Sequence, residues 1–432
     1  MDTPQIQRRI IAMKTNTIAK EAGTLISGNM AAQAISLLAY LILTRIFTPE
    51  DFAIYNIFYS YIEVLIIFST CKYELSIVAS DTNREASSIA QFAIRCNTLF
   101  SLTLISLFAI LLHFDKLPGN LRQLEWVVLL IPFLVYFTGT SRIYAALFNK
   151  FHQYRQIAIS ETVNAGAATV MKIVFGKLGW IFGGMPLGQT LGKMAGNINY
   201  HLKLRKVNLP KTTWQEQKTA ASKFRNFPLY VATKDFLNSF SANLPFLWAA
   251  SHFDKVEIGL YSLALVVCLR PANLLNTAFE KVLYAQVIEK VRLHQSISKL
   301  ILKFALIISI ATLPFLALIF VYADPLFVFC FGNSWEGCGF YIRCLIPYVF
   351  ITLTSTSLMF IPNVFSTQRT EFIFYMVLLL LRIAALWTGI KVNDFHIAAM
   401  LYISAGIVIA IVLLTWYILQ IHRYEKKIRN IR

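Results

Sequence analysis

The sequence predicts an all-α polytopic membrane protein with about twelve transmembrane helices in two six-helix lobes and both termini cytoplasmic. Three observations carry that prediction: a composition too apolar for a soluble chain, apolar runs of spanning length, and basic residues that gather in alternate connecting segments. Of 432 residues, 57% are hydrophobic and 14% are charged. A soluble globular chain spends about a quarter of its residues on Asp, Glu, Lys and Arg, so a soluble enzyme is excluded. The balance of 40 Lys and Arg against 22 Asp and Glu gives a net charge of +18. On a soluble domain that excess would suggest nucleic acid. Here the basic residues sit between and inside apolar blocks, which points to a bilayer and away from a nucleic-acid partner.

Residues 1–21 read as a cytoplasmic segment, polar and basic through Arg8, Arg9, Lys14 and Lys20. The apolar run that follows is long enough to span and has no cleavage-like exit. A span needs about 20 mostly apolar residues. Runs that qualify are 22–43, 52–71, 87–112, 124–148, 157–175 and 179–200 in one half. In the other they are 228–250, 257–279, 300–322, 342–361, 372–390 and 396–420. The weakest is 342–361, which carries Pro347 and is followed by Pro362. The domain organisation follows: an N-lobe at 22–200, a basic cytoplasmic linker at 201–227, a C-lobe at 228–420 and a basic tail at 421–432.

Charge asymmetry tests the count, because cytoplasmic loops carry an excess of Lys and Arg. With the N-terminus inside, 25 Lys and Arg fall in the inner segments and 6 in the outer ones. A single miscounted helix would scramble that alternation. A gapless offset of 206 residues also lays Phe47-Thr-Pro-Glu-Asp-Phe-Ala-Ile-Tyr55 over Phe253-Asp-Lys-Val-Glu-Ile-Gly-Leu-Tyr261. A repeat six helices long enters the membrane from the same side each time, a recurrent transporter plan with the route between the lobes.

Nine basic residues remain inside the spans: Arg95, Arg142, Lys172, Lys193, Lys234, Arg270, Lys303, Arg343 and Arg382. The clear acids there are Glu63, Glu161 and Asp235. A charge facing lipid near the midplane costs about 2.5–3.5 kcal/mol even on insertion scales. Lys303 and Arg343, close to helix ends, read as snorkelling side chains. Arg95 and Lys234, two turns in, fit either snorkelling or a cavity, and Lys172 also lies within reach of the outer interface. Arg142, Lys193, Arg270 and Arg382 lie deeper and ask for a water-filled cavity. The net interior charge is positive, so that cavity should attract an anion. Asp235 reads either as a helix-end ion pair beside Lys234 or as a group for H⁺ or Na⁺ coupling. Glu161 and Glu63 have the same two readings.

Gly184, Gly188, Gly192 and Gly196 recur every fourth residue and predict a smooth helix face for close packing. Pro132, Pro186, Pro245, Pro271, Pro314 and Pro347 interrupt spans and are candidate kinks. The six cysteines show no metal-ligand spacing. They read as apolar filler, with a loop disulfide between Cys330 and Cys338 as the other option. No P-loop, HExxH or GxSxG motif occurs. No catalytic residue, metal site or cofactor is therefore expected, and any driving force should come from an ion gradient or a partner.

Several stretches, taken in order along the chain, carry a family pattern. They are Ser27-Gly-Asn29, Leu43-Thr-Arg-Ile-Phe-Thr-Pro-Glu-Asp-Phe52 with Tyr55, Lys72-Tyr-Glu-Leu-Ser-Ile77, and Glu85-Ala86. Further on come Gly184-Met-Pro-Leu-Gly-Gln189, Phe224-Arg-Asn-Phe-Pro228, Asn243-Leu-Pro245, Gly259-Leu-Tyr261, Phe331-Gly-Asn-Ser-Trp335, Gly339 and Gln368-Arg369. Together these stretches resemble the Wzx-type polysaccharide flippases of the multidrug/oligosaccharidyl-lipid/polysaccharide (MOP) exporter superfamily; the chain departs from that family at Ala53, where glycine is common, and at Lys150, where arginine is expected. The resemblance implies a MATE-like, two-lobed flippase of a bacterial inner membrane. Its cargo would be undecaprenyl-pyrophosphate-linked oligosaccharide such as an O-antigen repeat unit, moved by alternating access. Membrane lipids, a polysaccharide polymerase and a chain-length regulator are the implied partners. Arg142, Lys193, Arg270 and Arg382 would then meet the pyrophosphate or an acidic sugar, with Lys172 and Lys234 behind them. The competing readings are a multidrug or lipid II exporter of the same superfamily and a membrane protein of polysaccharide assembly that transports nothing.

Overall fold

The computed structural model describes residues 28, 30–117, 119–205, 207, 209–355, 358–365 and 367–429. Among these the secondary structure is helical, with no strand. The first predicted span is described from Met30 onward as α1 (Met30–Leu43), and its earlier part, with most of the N-terminal segment, lies outside the described residues. There follow α2 (Pro49–Thr70), α3 (Tyr73–Ala79), α4 (Asn83–His113), α5 (Leu130–Lys150), α6 (Tyr154–Lys177), α7 (Gly184–Leu204) and α8 (Trp214–Lys223). The second half holds α9 (Ala232–Leu247), α10 (Lys255–Arg292), α11 (Ser298–Val321) and α12 (Ala323–Phe331). It ends with α13 (Cys338–Ser355), α14 (Ile361–Val364), α15 (Gln368–Val392) and α16 (Phe395–Arg429).

Helices thus occupy each place where a span was expected, and among the described residues nine are long and apolar enough to cross a membrane. The chain is a multi-pass membrane protein. α1, α7 and α9 fall outside that set, α9 because it has 16 residues. α11 shows what solvent the fold expects. Only 6% of its most apolar window is buried, and Leu306, Ile310, Leu313 and Phe315 are exposed on it. A contiguous apolar surface of that kind belongs against lipid.

Two compact units emerge from the contacts. Unit 1 holds the described residues up to Phe47 and then Ile57–Phe236; unit 2 holds Thr48–Asn56 and Leu237–Arg432. In unit 1, α6 and α7 pack along the glycine stripe. A side chain at Gly188 would lie 2.7 Å from the Lys172 backbone nitrogen, and one at Gly196 2.8 Å from Asn164 Cβ. The glycines therefore serve close helix approach. The turn from α2 to α3 needs two left-handed residues, Cys71 (φ 48°) and Lys72 (φ 59°).

α8 lies in the basic linker and is tied to unit 1. Thr213 and Glu216 form a capping box at its start. Arg84 pairs with Glu216 at 2.7 Å, and Lys223 reaches Asp81 at 2.8 Å and Glu85 at 2.7 Å. Ser87 donates to the Pro210 carbonyl at 2.8 Å, and Arg95 lies 5.1 Å over the Trp214 ring. Arg95 is thus spent on the linker. Lys150, one of the two departures from the family pattern, donates to the Ser80 carbonyl.

In unit 2, α10 begins 206 residues after α2, at Lys255 against Pro49, as the repeat requires. Asp254 caps α10 by accepting from the Val256 amide, and Asp51 accepts from the Thr48 amide at the start of α2. A core around Leu283, Val287, Ile361, Leu413 and Tyr417 joins α10, α14 and α16. Helices run through Pro245, Pro271, Pro314 and Pro347 without ending. The expected span at 342–361 is displaced to 338–355: it starts after the turn at Gly337 (φ 90°). All six cysteines are free thiols, which closes the disulfide option; Cys338 is buried and its Sγ donates to the Leu260 carbonyl at 3.3 Å.

Candidate functional site

Each unit holds its own polar cluster. In unit 1 the smooth face of α7 brings it so near α6 that side chains flanking the glycines meet. Lys193 Nζ lies 3.4 Å from Glu161 Oε2. The other carboxylate oxygen accepts from the Tyr200 hydroxyl at 3.2 Å, and Asn164 donates to Oε2 at 3.2 Å. Three turns along α6, Lys172 Nζ donates to Gln189 Oε1 at 2.6 Å and is 8% exposed. Glu161 is therefore a carboxylate whose charge is already balanced. Arg142 is half-buried on α5, with no hydrogen bond or ion pair among the described residues. Asn197 orients α7 on α5 by donating to the Phe137 carbonyl at 2.6 Å and the Ser141 hydroxyl at 2.9 Å.

In unit 2, α9, α10, α13, α15 and α16 enclose a cavity of about 370 Å³. Five tyrosines wall it: Tyr261, Tyr348, Tyr375, Tyr402 and Tyr417, with Asn238, Asn273 and Thr352 adding polar edges. Its charge is Arg382 on α15, 6% exposed. The guanidinium donates to the Ser241 hydroxyl at 3.1 Å and lies 4.5 Å over the Tyr402 ring. Its Nε is buried with no partner, and no ion pair to Arg382 occurs among the described residues. Gly406 makes room: a side chain there would lie 3.3 Å from Arg382 Nη2. A buried cation without a counter-charge is costly. An anion entering the cavity would supply the missing partner, and the tyrosine faces suit the C–H surfaces of a sugar ring.

The remaining expected residues are placed as follows. Arg270 is half-buried on α10, next to the cavity-lining Leu269, and is engaged in a contact of its own. Lys234 is half-buried at the start of α9 and is likewise engaged. Asp235 pairs with Lys72 at 2.7 Å rather than with its neighbour. Glu63 is exposed on α2 and has a partner. Arg343 pairs with Asp324 at 2.6 Å near the ends of α12 and α13. The structure thus pairs Lys193 with Glu161 in unit 1, holds Lys172 on Gln189 farther along α6, and leaves Arg382 in a cavity of unit 2.

Sequence reasoning missed Glu371, which is 1% exposed and accepts from the Tyr417 hydroxyl at 3.4 Å. It stands one residue before the apolar run that begins at 372, so a count of acids inside spans passes over it. About 16 Å of helix rise separates it from Arg382, too far to pair. The spacing of Glu371 and Tyr375 on one face of α15 was the only local signal.

A sequence profile described as a polysaccharide biosynthesis protein matches residues 42–339. No curated protein sequence matches the chain. Three solved structures are similar. One is an inward-facing multidrug resistance MATE family transporter of the MOP superfamily, at TM-score 0.67 and 12% identity over 91% of this chain and 96% of that one. Another is the lipid II flippase MurJ in an inward closed conformation, at TM-score 0.73 and 12% identity over 94% and 90%. The third is a MOP superfamily transporter from Pyrococcus furiosus, described as having a binding pocket of reverse polarity, at TM-score 0.57 and 13% identity over 94% and 96%. At such identities the likeness shows a shared fold, that of the MOP superfamily transporters.

Proposed function

This chain belongs to the polysaccharide biosynthesis protein family, and on that premise we propose that it is a flippase for undecaprenyl-pyrophosphate-linked oligosaccharide. It moves repeat units of O-antigen or a related surface polysaccharide from the cytoplasmic to the outer leaflet of a bacterial inner membrane. The observation that carries this reading is Arg382, a buried guanidinium without a counter-charge among the described residues, in a cavity walled by tyrosines. The pyrophosphate or an acidic sugar is the partner it lacks. Tyrosine faces hold the sugars, and the prenyl tail stays in lipid. Alternating access then exposes the headgroup on the far side.

Coupling to H⁺ or Na⁺ runs through unit 1 in this reading. Glu161 neutralises Lys193; a proton or Na⁺ on the carboxylate would leave the ammonium uncompensated within unit 1 and so bias the transport cycle. A polymerase and a chain-length regulator take the unit on after release.

The test is translocation in sealed proteoliposomes, with a reporter sugar on the lipid-linked oligosaccharide that is quenched from one side. A hydrogen bond to a charged group contributes about 1.5–3 kcal/mol, so Arg382→Gln should slow translocation about 10- to 150-fold while Arg382→Lys retains part of the rate. Wild-type rates in Arg382→Gln would overturn the assignment of Arg382. Lipid II carried as well as the repeat unit would shift the reading to the lipid II exporters.

A further inference from the structure

We propose that the groove between α5 and α7 on the surface of unit 1 binds an anionic glycerophospholipid of the surrounding membrane. The groove measures about 360 Å³. Its α5 wall carries Tyr136 and Tyr144, two turns apart, and its α7 wall carries Met194, Ile198 and Leu202, one turn apart and all exposed. In a chain that spans a membrane, an apolar trough open to the outside is filled by hydrocarbon. The other side of α7 carries the polar cluster of unit 1. Ile198 lies five residues, or about 140° of helix rotation, from Lys193. The groove is therefore separate from the transport residues.

The charge in the groove sits at one end. His201 and Arg205 close it where α7 runs into the basic linker, and both are exposed. Arg205 Nε lies 3.2 Å from His201 Nε2. A guanidinium only donates, so His201 Nε2 accepts and the ring proton belongs on Nδ1. That nitrogen lies 3.4 Å from the Tyr144 hydroxyl. The chain from Tyr144 through His201 to Arg205 fixes the guanidinium by its Nε, and among the described residues both terminal amino groups have no partner. Neither the groove lining nor the ion pairs among the described residues give Arg205 a carboxylate. Two parallel N–H groups presented in this way match the oxygens of a phosphodiester.

Length agrees with charge. From Met194 to Arg205 is about 16 Å of helix rise, and the hydrocarbon of one leaflet is about 15 Å thick, half of a bilayer core. A lipid whose phosphate rests on Arg205 would lay its acyl chain along Leu202, Ile198 and Met194 toward the midplane. Headgroup charge decides which lipid is preferred. A zwitterionic headgroup brings an ammonium beside the guanidinium, whereas a phosphatidylglycerol brings only the anion. One basic residue near an anionic surface contributes about 1 kcal/mol, on the order of fivefold in affinity.

The test is native mass spectrometry of the full-length protein in mild detergent, titrated with dioctanoyl phosphatidylglycerol, dioctanoyl phosphatidylcholine or inorganic phosphate. The wild type should retain phosphatidylglycerol about fivefold over phosphatidylcholine. Arg205→Gln should erase that preference, and Ile198→Trp, which fills the trough, should lower retention of both lipids. Inorganic phosphate should not displace the lipid. Equal retention of the two lipids by the wild type, an unchanged preference in Arg205→Gln, or unchanged binding in Ile198→Trp would each overturn the proposal. Displacement by phosphate alone would reduce the groove to a free-anion site and overturn it too. Retention is read without transport, so this result stands or falls apart from the flippase reading.

Discussion

Replacing Glu161 with Gln keeps the shape of the unit 1 cluster and removes one charge, so it measures what the ion pair with Lys193 contributes. At 3.4 Å two unit charges attract by about 5 kcal/mol at an effective dielectric of about 20. Desolvation offsets much of that. Both side chains also keep some exposure, 14% for Lys193 and 26% for Glu161, which screens the pair further. A net coupling of about 1–3 kcal/mol remains. The two single changes should differ. Glu161→Gln strands the Lys193 ammonium, whereas Lys193→Met leaves a carboxylate that still accepts from Tyr200 and Asn164. Glu161→Gln should therefore lower the melting temperature more than Lys193→Met, and the double variant should recover part of the loss. Unfolding entropy scales with length, so 1 kcal/mol shifts the midpoint of this chain by roughly 1 °C. A double-mutant cycle followed by tryptophan fluorescence resolves a coupling of that size. Additivity within about 0.5 kcal/mol would show that the two groups do not interact and remove the coupling role given to Glu161. In proteoliposomes, Glu161→Gln mimics the protonated acid and should make translocation indifferent to an imposed pH gradient.

A side chain at Gly192 would drive into Ala168 on the facing helix, so Gly192→Leu should destabilise the α6–α7 contact by about 1–3 kcal/mol; an unchanged melting temperature would show that the stripe is not a packing face. The docking of α8 should depend on pH at both extremes, as read by hydrogen exchange across Trp214–Lys223. The hydrogen bond from Lys223 holds the Asp81 carboxyl below its ordinary 3.8, and the bond from the Thr213 amide lowers that of Glu216 below 4.5. Groups with lowered values stabilise above the unfolded pKa and lose that contribution as pH falls through the folded one. Protection should therefore fall in acid, below about pH 4. The Lys223 ammonium is raised above 10.5 by its hydrogen bond to Asp81, so its contribution is complete below that value and is lost as pH rises past it. Lys223→Ala should abolish both limbs of Lys223 pairing, and α8 protection that stays flat with pH would contradict the latch.

The fold was legible because its signals are local. Apolar runs reported the spans, and the 206-residue offset matched the starts of α2 and α10 before any contact was known. α8 was also within reach, since Thr213-Trp-Gln-Glu216 writes a capping box; the stretch reads only as linker in the sequence. α3, α12 and α14 are too short to show a period. Pairing was not legible. Asp235 beside Lys234 suggested a neighbour pair, yet its partner is Lys72, far away in sequence. Which base meets which acid depends on how helices are rotated and stacked, and a run of apolar residues carries little of that information.

The same contrast separates the two clusters chemically. Counting bases and acids along the spans treats Lys193 and Arg382 alike, as members of one positive excess. In the folded chain Lys193 has a carboxylate within 3.4 Å, while Arg382 has the hydroxyls of Ser241 and Tyr348, an aromatic face and a buried nitrogen with no partner. A compensated charge is kept ionised at little cost and can be released by protonating its partner. An uncompensated one raises the free energy of the empty cavity, and that penalty is returned when an anion arrives. The first arrangement suits a coupling group and the second a cargo site. The net excess within the spans therefore matters less than its distribution: unit 2 carries the unmatched cation, and binding of the cargo anion should be felt there first.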